Sequence, residues 1–210
     1  MKIYDYFETF TKVYCLNLDR REDRWSDTIK ELDKWDLRKY VTRVAAIDGR
    51  TLPANSFGLR NAEVGLIETQ LQLVIDAKKN NYKSILIMED DIEFTDEVNN
   101  IELYVKELPN DWDMIWFGGN HNTHGGHTTH FISNKIIKCN ITYTAHCVAI
   151  NHTVFDKVIE VLTNARAPVD VSYVEIQNLY NCYAFYPSVA IQRPGFSDIQ
   201  NSEQDYKWLL

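Results

Sequence analysis

Two periodicities take turns along this chain. Short apolar stretches rich in β-branched and aromatic residues occur at residues 12–18 (KVYCLNL), 41–47 (VTRVAAI), 84–94 (SILIMEDDIEF), 111–117 (DWDMIWF), 141–150 (ITYTAHCVAI) and 184–190. Each predicts a strand. Between them apolar residues fall at helical spacing: Trp25, Ile29 and Leu32 over 23–35, with Trp35 extending the stripe, then Val64, Ile67, Leu71 and Val74 over 62–79. The same spacing returns as Val98, Ile101, Val105 and Leu108 over 95–108, with Pro109 beyond, and as Phe155, Val158, Ile159 and Leu162 over 153–162. Asn61 is a candidate N-cap for the second helix, which carries Glu63 in its first turn and Lys78 and Lys79 in its last, as the helix dipole favours. Pro168-Val169-Asp170 opens a further helix over 171–181. Strands alternating with helices at this rhythm predict βαβ units, an α/β fold with a mainly parallel central sheet flanked by helices.

The stretch 84–94 organises the rest. Ile85, Leu86, Ile87 and Met88 form a continuous apolar run, the mark of a strand buried on both faces. Three carboxylates follow: Glu89, Asp90 and Asp91. Along a strand, Glu89 and Asp91 point one way and Asp90 the other, unless the chain turns there. In open α/β sheets ligands bind beyond the carboxyl ends of strands, and oxygen-rich clusters suit Mg²⁺ or Mn²⁺. The alternative is an acidic turn that leaves the strand and faces solvent.

Other segments carry candidate chemistry. The first strand feeds its helix through Asp19-Arg20-Arg21-Glu22-Asp23-Arg24. An arginine-bearing turn there suits a phosphate or nucleotide, while the same arginines could pair with Asp19, Glu22 and Asp23 on a solvated surface. Asp48-Gly49 turns the chain after the second strand, and 50–60 reads as a loop. Residues 118–134, with His121, His124, His127 and His130 at every third position, break the rhythm. Evenly spaced histidines raise a Zn²⁺ or Ni²⁺ site as one reading; a flexible lid is the better one, because the glycines supply no rigid ligand geometry. His146, on an expected strand, reads as a core histidine with its hydrogen bonds satisfied. Residues 193–210 form a polar tail with few apolar anchors.

Composition sets limits. The chain has 210 residues, 45% of them apolar, enough for one good-sized core, so 1–210 reads as a single domain. A formal charge of −8 disfavours general attraction to nucleic acid or an anionic membrane, without excluding a phosphorylated ligand held locally. MKIYDYFETFTK has no apolar core of the kind a signal peptide needs, and no stretch is long enough for a transmembrane segment. Cys15, Cys139, Cys147 and Cys182 are scattered with no C-x-x-C pair, the pattern of reduced cysteines in a cytoplasmic protein.

In order, NLDRREDR, RVAAIDGR, a helix opening near EVG, ILIMEDDIEF, DWDMIWFGG, TAHCVAIN, PVDVSYVEI and YPSVAIQRPGFSDIQNS resemble the motif series of glycosyltransferase family 25. That family includes bacterial lipooligosaccharide galactosyltransferases and the procollagen galactosyltransferase domain. The resemblance runs from about Val13 to Ser202 and implies a GT-A fold, a UDP-sugar donor and a divalent metal, Mn²⁺ or Mg²⁺. It implies inverting transfer of a hexose, galactose or glucose, to an acceptor hydroxyl. The acceptor would be a glycan, a lipid-linked glycan or a hydroxylated protein side chain. Two alternatives stand beside it: a non-catalytic nucleotide-sugar-binding protein, and another metal-dependent nucleotide-processing enzyme, although no basic Gly-rich triphosphate loop is present.

Residue by residue, the resemblance implies that Asn17, Arg20 and Arg24 line the nucleotide pocket. Ala46, Asp48 and Gly49 would face the base or ribose, and Glu89 and Asp90 would lie at the donor. Asp91, with Asp90 and Asp198, would be the metal set. Asp170 is the first candidate for the base that takes the acceptor proton and Glu175 the second. One departure stands out: many members read Gly-Cys-x-x-Ser-His at the start of the third helix, where this chain has Gly65-Leu66-Ile67-Glu68-Thr69-Gln70. Gln70 hydrogen-bonds but does not titrate near neutral pH, so it would serve to position a sugar but not as an acid or base.

Overall fold

The alternation of inward-facing residues builds three layers. A computed structural model describes residues 1–53, 58–121 and 129–206. Its centre is an eight-stranded sheet in the order β2-β1-β3-β8-β5-β9-β7-β6. The strands are β1 (Lys12–Asn17), β2 (Val41–Ala45), β3 (Ser84–Glu89), β5 (Met114–Trp116), β6 (His130–Phe131), β7 (Ile136–Lys138), β8 (Cys147–Asn151) and β9 (Cys182–Phe185). β1 runs parallel to β2 and β3; β8 is antiparallel to both β3 and β5; β9 is parallel to β5, β7 opposes β9, and β6 opposes β7. Six of the eight strands therefore point one way, with β8 and β7 reversed, and the expected mainly parallel α/β sheet is present.

Period-two alternation sorts each central strand between two cores. Val13 and Cys15 of β1, Leu86 and Met88 of β3, and Cys147 and Ala149 of β8 face one side. There they meet Ile3, Tyr6 and Phe7 of α1 (Ile3–Phe7), Leu32 of α2 (Glu22–Lys34), and Ile101 and Tyr104 of α4 (Ile101–Glu107). Tyr14, Leu16, Ile85, Ile87, Val148 and Ile150 face the other side. They pack on Ile67 and Val74 of α3 (Asn61–Lys79), Val158 and Leu162 of α5 (Phe155–Thr163), and Tyr173 and Ile176 of α6 (Val169–Gln177). The acidic strand β3 is thus the buried centre of the molecule, as its unbroken apolar run requires.

Several boundaries differ from the sequence expectation, each for a local reason. The strand expected over 141–150 begins only at Cys147, because 142–144 give their backbone to partners outside the sheet. Thr142 N–H donates to Gln177 Oε1 (2.8 Å), and Thr144 N–H to Asp170 Oδ2 (3.0 Å). The strand expected over 184–190 splits around Pro187, which has no N–H for a ladder. Its second part, β10 (Ala190–Gln192), pairs antiparallel with β4 (Ile92–Phe94). Residues 96–100 form a 3₁₀ turn before α4, and Thr95 caps it by accepting the Glu97 N–H. The N-cap of α3 is Arg60 rather than Asn61; Glu63 reaches back to the Arg60 N–H at 2.8 Å. The tail is more ordered than its polarity suggests: β11 (Gly195–Ser197) and β12 (Ser202–Gln204) form a hairpin.

Two glycines set where α3 meets the sheet edge. A Cβ on Gly65 would come within 2.4 Å of the Ile47 carbonyl oxygen, and one on Gly49 within 2.2 Å of the Asn61 carbonyl oxygen. Only glycine lets α3 and the turn after β2 approach this closely. That contact fixes one wall of the cleft described next.

Candidate functional site at the carboxyl ends of the central strands

β1, β2 and β3 end on one edge of the sheet, and antiparallel β8 starts there, with Met88 paired to Cys147. A cleft of about 980 Å³ opens above these ends. Its size falls in the range of ligand sites. One wall carries Arg20, Arg24, Asp90 and Asp91; another carries Asp48 and Gly49; Thr144 and Asp170 stand in a third, and the 196–201 stretch of the tail closes the rim.

The chain turns at Asp90-Asp91, so both carboxylates face α2 and strand alternation stops at Glu89. Arg24, one turn into α2, bridges them: one Nη atom lies 2.8 Å from Asp90 Oδ1 and 2.7 Å from Asp91 Oδ2. Asn17, at the end of β1, donates from Nδ2 to Asp90 Oδ2 at 2.6 Å. Its Oδ1 accepts from Arg43 Nε at 2.9 Å, so Asn17 acts behind the pocket wall, holding Asp90 in place. Burial pushes the Asp90 carboxyl up, and Arg24 and Asn17 pull it back. Glu89 is shifted up as well, first by burial and then by the Asp91 charge. Burial works against the Arg24 charge, but Asp91, Asp90 and Glu89 outweigh it and hold the guanidinium protonated.

The other arginines of the turn are taken up at longer range. Arg20 donates to Asp48 (2.9 Å) and meets Asp198 (2.7 Å); Arg21 meets Asp23 (2.8 Å) and Asp198. Of the local pairings considered for the turn, only Arg21 with Asp23 forms among these three arginines. Asp48 is held well below the usual carboxylate range by Arg50, whose side chain and backbone N–H both donate to it, and by Arg20.

Asp170 lies in the first turn of α6, whose N-cap is Pro168. Oδ1 accepts the Val171 N–H (2.9 Å) and Oδ2 the Thr144 N–H (3.0 Å). A carboxylate has about four acceptor positions, so capacity remains on the cleft side. Thr144 holds φ at +66°, rare for a β-branched residue. Its carbonyl accepts from Trp116 Nε1 at 2.9 Å, so the packed indole supports the strained turn that aims an N–H at Asp170.

Three expected site residues lie outside the cleft wall: Asn17, which stands behind it, and Gln70 and Glu175. Gln70 is 2% exposed and faces α6, where Oε1 accepts the Tyr173 hydroxyl at 2.6 Å; it is not in the cleft wall. Glu175 is on the outer face of α6, paired with Lys157 at 2.7 Å, and it too stays out of the wall. Gln70→Leu should cost about 1–3 kcal/mol by leaving the Tyr173 hydroxyl unpaired, and adding Tyr173→Phe should recover most of it. Chemical denaturation of the two single variants and the double variant measures this, with ligand binding unchanged in all of them.

His121 is half-buried with Nδ1 3.1 Å from Thr142 Oγ1, and desolvation lowers it to about 4. His130 lies in β6, while His124 and His127 fall outside the described residues, as does the 122–128 part of the expected lid. His146 is buried with Nε2 3.0 Å from the Ala190 carbonyl, which makes Nε2 the protonated nitrogen; Nδ1 has no partner among the described residues. All four cysteines are free and buried. No described helix is long and apolar enough to cross a membrane.

Arg21 was read only as part of the arginine turn, and Arg193 and Thr144 were not singled out from the sequence. Arg193 donates to the Asp90 carbonyl at 2.8 Å, and its N–H to the Asp91 carbonyl at 2.7 Å, clamping the acidic turn from β10. Its only signal was its place within the stretch YPSVAIQRPGFSDIQNS.

The fit of a divalent cation can be judged from the donors. Asp91 Oδ1 is buried with no hydrogen-bond partner among the described residues. No group of three or more carboxylate, imidazole or thiol ligands stands together among those residues. The Asp90 oxygens go to Arg24 and Asn17, and those of Asp198 to Arg20 and Arg21. This donor set fits Mg²⁺ or Mn²⁺ bound through one carboxylate and completed by phosphate oxygens of a ligand, a usual arrangement for Mg²⁺.

Neither a family model nor a curated protein matches the chain. Several solved structures resemble it at low identity. A glycosyltransferase involved in glycosylation of the major capsid of PBCV-1 is 8% identical, with a TM-score of 0.43 over 72% of this chain and 65% of that one. A197 from STIV is 11% identical, with a TM-score of 0.44 over 91% and 92%. The galactosyltransferase LgtC, solved with donor and acceptor sugar analogues, is 10% identical, with a TM-score of 0.43 over 83% and 73%.

Proposed function

We propose that this chain is a glycosyltransferase of GT-A type. It moves a hexose, galactose or glucose, from a UDP-sugar to an acceptor hydroxyl with inversion. The acceptor is a glycan, a lipid-linked glycan or a hydroxylated protein side chain. The observation that carries this reading is the pairing of two opposed features in one cleft. The Arg20–Arg24 region and the Asp90-Asp91 turn lie on one wall, and the Asp170 carboxylate, held by two backbone N–H groups, lies on another. A nucleoside diphosphate leaving group needs positive charge; a direct displacement needs a base on the acceptor's side.

In this reading the turn after β2, with Ala46, Asp48 and Gly49, holds the nucleoside. Arg20 and Arg24 face the diphosphate, and guanidinium groups suit phosphate oxygens through paired N–H donors. Asp91 Oδ1 would hold a Mn²⁺ or Mg²⁺ ion, which when bound supplies a Lewis acid to the departing diphosphate. Asp170 accepts the proton of the attacking hydroxyl at its cleft-facing lone pairs. Thr144 N–H and Val171 N–H keep the carboxylate turned to that task. The tail at the rim keeps water from the donor. Since Gln70 packs against Tyr173, the family departure there bears on how α3 and α6 fit together and leaves the cleft wall intact.

UDP release from UDP-galactose and UDP-glucose with Mn²⁺ and no acceptor tests the reading. Slow release that disappears in Asp91→Asn is expected. No release of UDP from either donor by the folded protein would overturn it.

A further inference from the structure

The C-terminal hairpin makes an unusual attachment. β11 and β12 pair only with each other. What ties the hairpin to the body is charge. Asp198, just past β11 and 13% exposed, sits among Arg20 (2.7 Å), Arg21 and Arg24 (3.7 Å). A second tie comes from Arg60, whose Nη1 donates to the Ile199 carbonyl (3.1 Å) and to Gln200 Oε1 (2.7 Å). Three guanidinium groups thus converge on Asp198 at the mouth of the cleft, while Arg20 also pairs with Asp48, Arg21 with Asp23, and Arg24 with Asp90 and Asp91. Asp198 brings this cluster one charge and two oxygens, where a diphosphate brings more of both.

We infer that Arg20, Arg21 and Arg24 form a phosphoryl-anion site which Asp198 fills in this structure. Asp198 is then an internal competitor for the diphosphate and not a metal ligand. A phosphoryl group entering the cleft takes the arginines from Asp198. The hairpin then loses its main charged tie, while the Arg60 contacts with Ile199 and Gln200 remain. The tail therefore reports on, and restrains, occupation of the site. This rests on the reading that the cleft takes a nucleoside diphosphate, but it makes a separate claim about which anion the arginines hold.

The test uses inorganic pyrophosphate as probe, in the presence of a chelator, with the full chain. Calorimetry should show pyrophosphate binding about tenfold tighter to Asp198→Ala than to the unaltered protein. Asp198→Asn, which keeps the shape and removes the charge, should show the same direction. In the unaltered protein, pyrophosphate should speed proteolytic cleavage within 195–206. Unchanged or weaker pyrophosphate binding in both variants would overturn the inference, as would absence of binding to any of the three proteins. A metal ligand at Asp198 predicts the opposite pattern: pyrophosphate binding that needs Mn²⁺ and is lost in Asp198→Ala. The two readings fail separately. Tighter pyrophosphate binding in the variants with no binding of UDP removes the nucleotide and leaves the anion site. UDP binding with no gain for pyrophosphate removes the internal competitor and leaves the nucleotide.

Discussion

Asp170→Asn is expected to lower sugar transfer by about a hundredfold or more while leaving the fold and UDP binding in place, because a general base is worth about that much. The structure sharpens what the substitution does. Pro168 is the N-cap of α6, so Asp170 is not needed to cap it. Its oxygens instead accept from Val171 N–H and Thr144 N–H. Asparagine offers one oxygen and one NH₂ group, so one of those two N–H groups loses its acceptor. The stability cost of that is about 1 kcal/mol, far too little to unfold the chain. Transfer, thermal melting and UDP titration on the same preparation separate the effects. Transfer near the unaltered rate would take Asp170 out of the mechanism. Glu175 would not replace it, since it points away from the cleft into an ion pair with Lys157.

Arg24→Met is expected to be the most damaging single change for stability. Arg24 is 18% exposed and neutralises Asp90 and Asp91, which are 8% and 14% exposed. Removing one partner of a buried ion pair leaves uncompensated charge and costs about 3 kcal/mol or more. The pH dependence has a definite sign. Burial already raises the Asp90 carboxyl above its ordinary value, and Arg24 is the first of the groups that lower it again. Without Arg24 the folded-state value rises further above the unfolded one. The penalty is then fully present at neutral pH and shrinks as pH falls through the raised value towards the ordinary carboxylate range. Denaturation of both proteins from pH 7 to pH 5 should therefore show the gap between them narrowing. A gap that widened on acidification would contradict the pairing. Millimolar Mg²⁺ or Mn²⁺ should restore part of the lost stability, because a divalent cation suits carboxylate oxygens left without a guanidinium partner.

The sequence displayed the centre of this molecule well. The run through Ile85, Leu86, Ile87 and Met88 had to be a buried strand, and the acids after it had to lie at the ligand-binding edge of an α/β sheet. The 3.6-residue stripes located α2, α3 and α5 because amphipathic burial decides those helices. Strand direction was not visible. Residues 147–151 are apolar in either orientation, and only the packed sheet shows β8 running against β3. Where a side chain points at long range was hidden too. The family motif placed residue 70 in the pocket, but a helix position can face the neighbouring helix, and Gln70 found Tyr173 there. The arginine turn was visible as a cluster of charge, while, apart from Asp23, the partners of its arginines (Asp48, Asp90, Asp91 and Asp198) lie far along the chain. Thr144 carried no signal, since its left-handed backbone is imposed by Trp116 and Asp170 around it.

The cleft at the ends of β1, β2 and β3 is expected to take a nucleoside diphosphate. The most direct measurement is a thermal-unfolding titration of the unaltered protein with UDP, with and without Mn²⁺. A ligand at a hundred times its Kd stabilises the folded state by about 2.7 kcal/mol. For a domain of this size that is roughly 5–10 °C in Tm. A rise of that order is expected with UDP, larger when Mn²⁺ is present, and reduced in Asp91→Asn. A Tm that stays fixed at saturating UDP, with Mn²⁺ and without it, would contradict the claim.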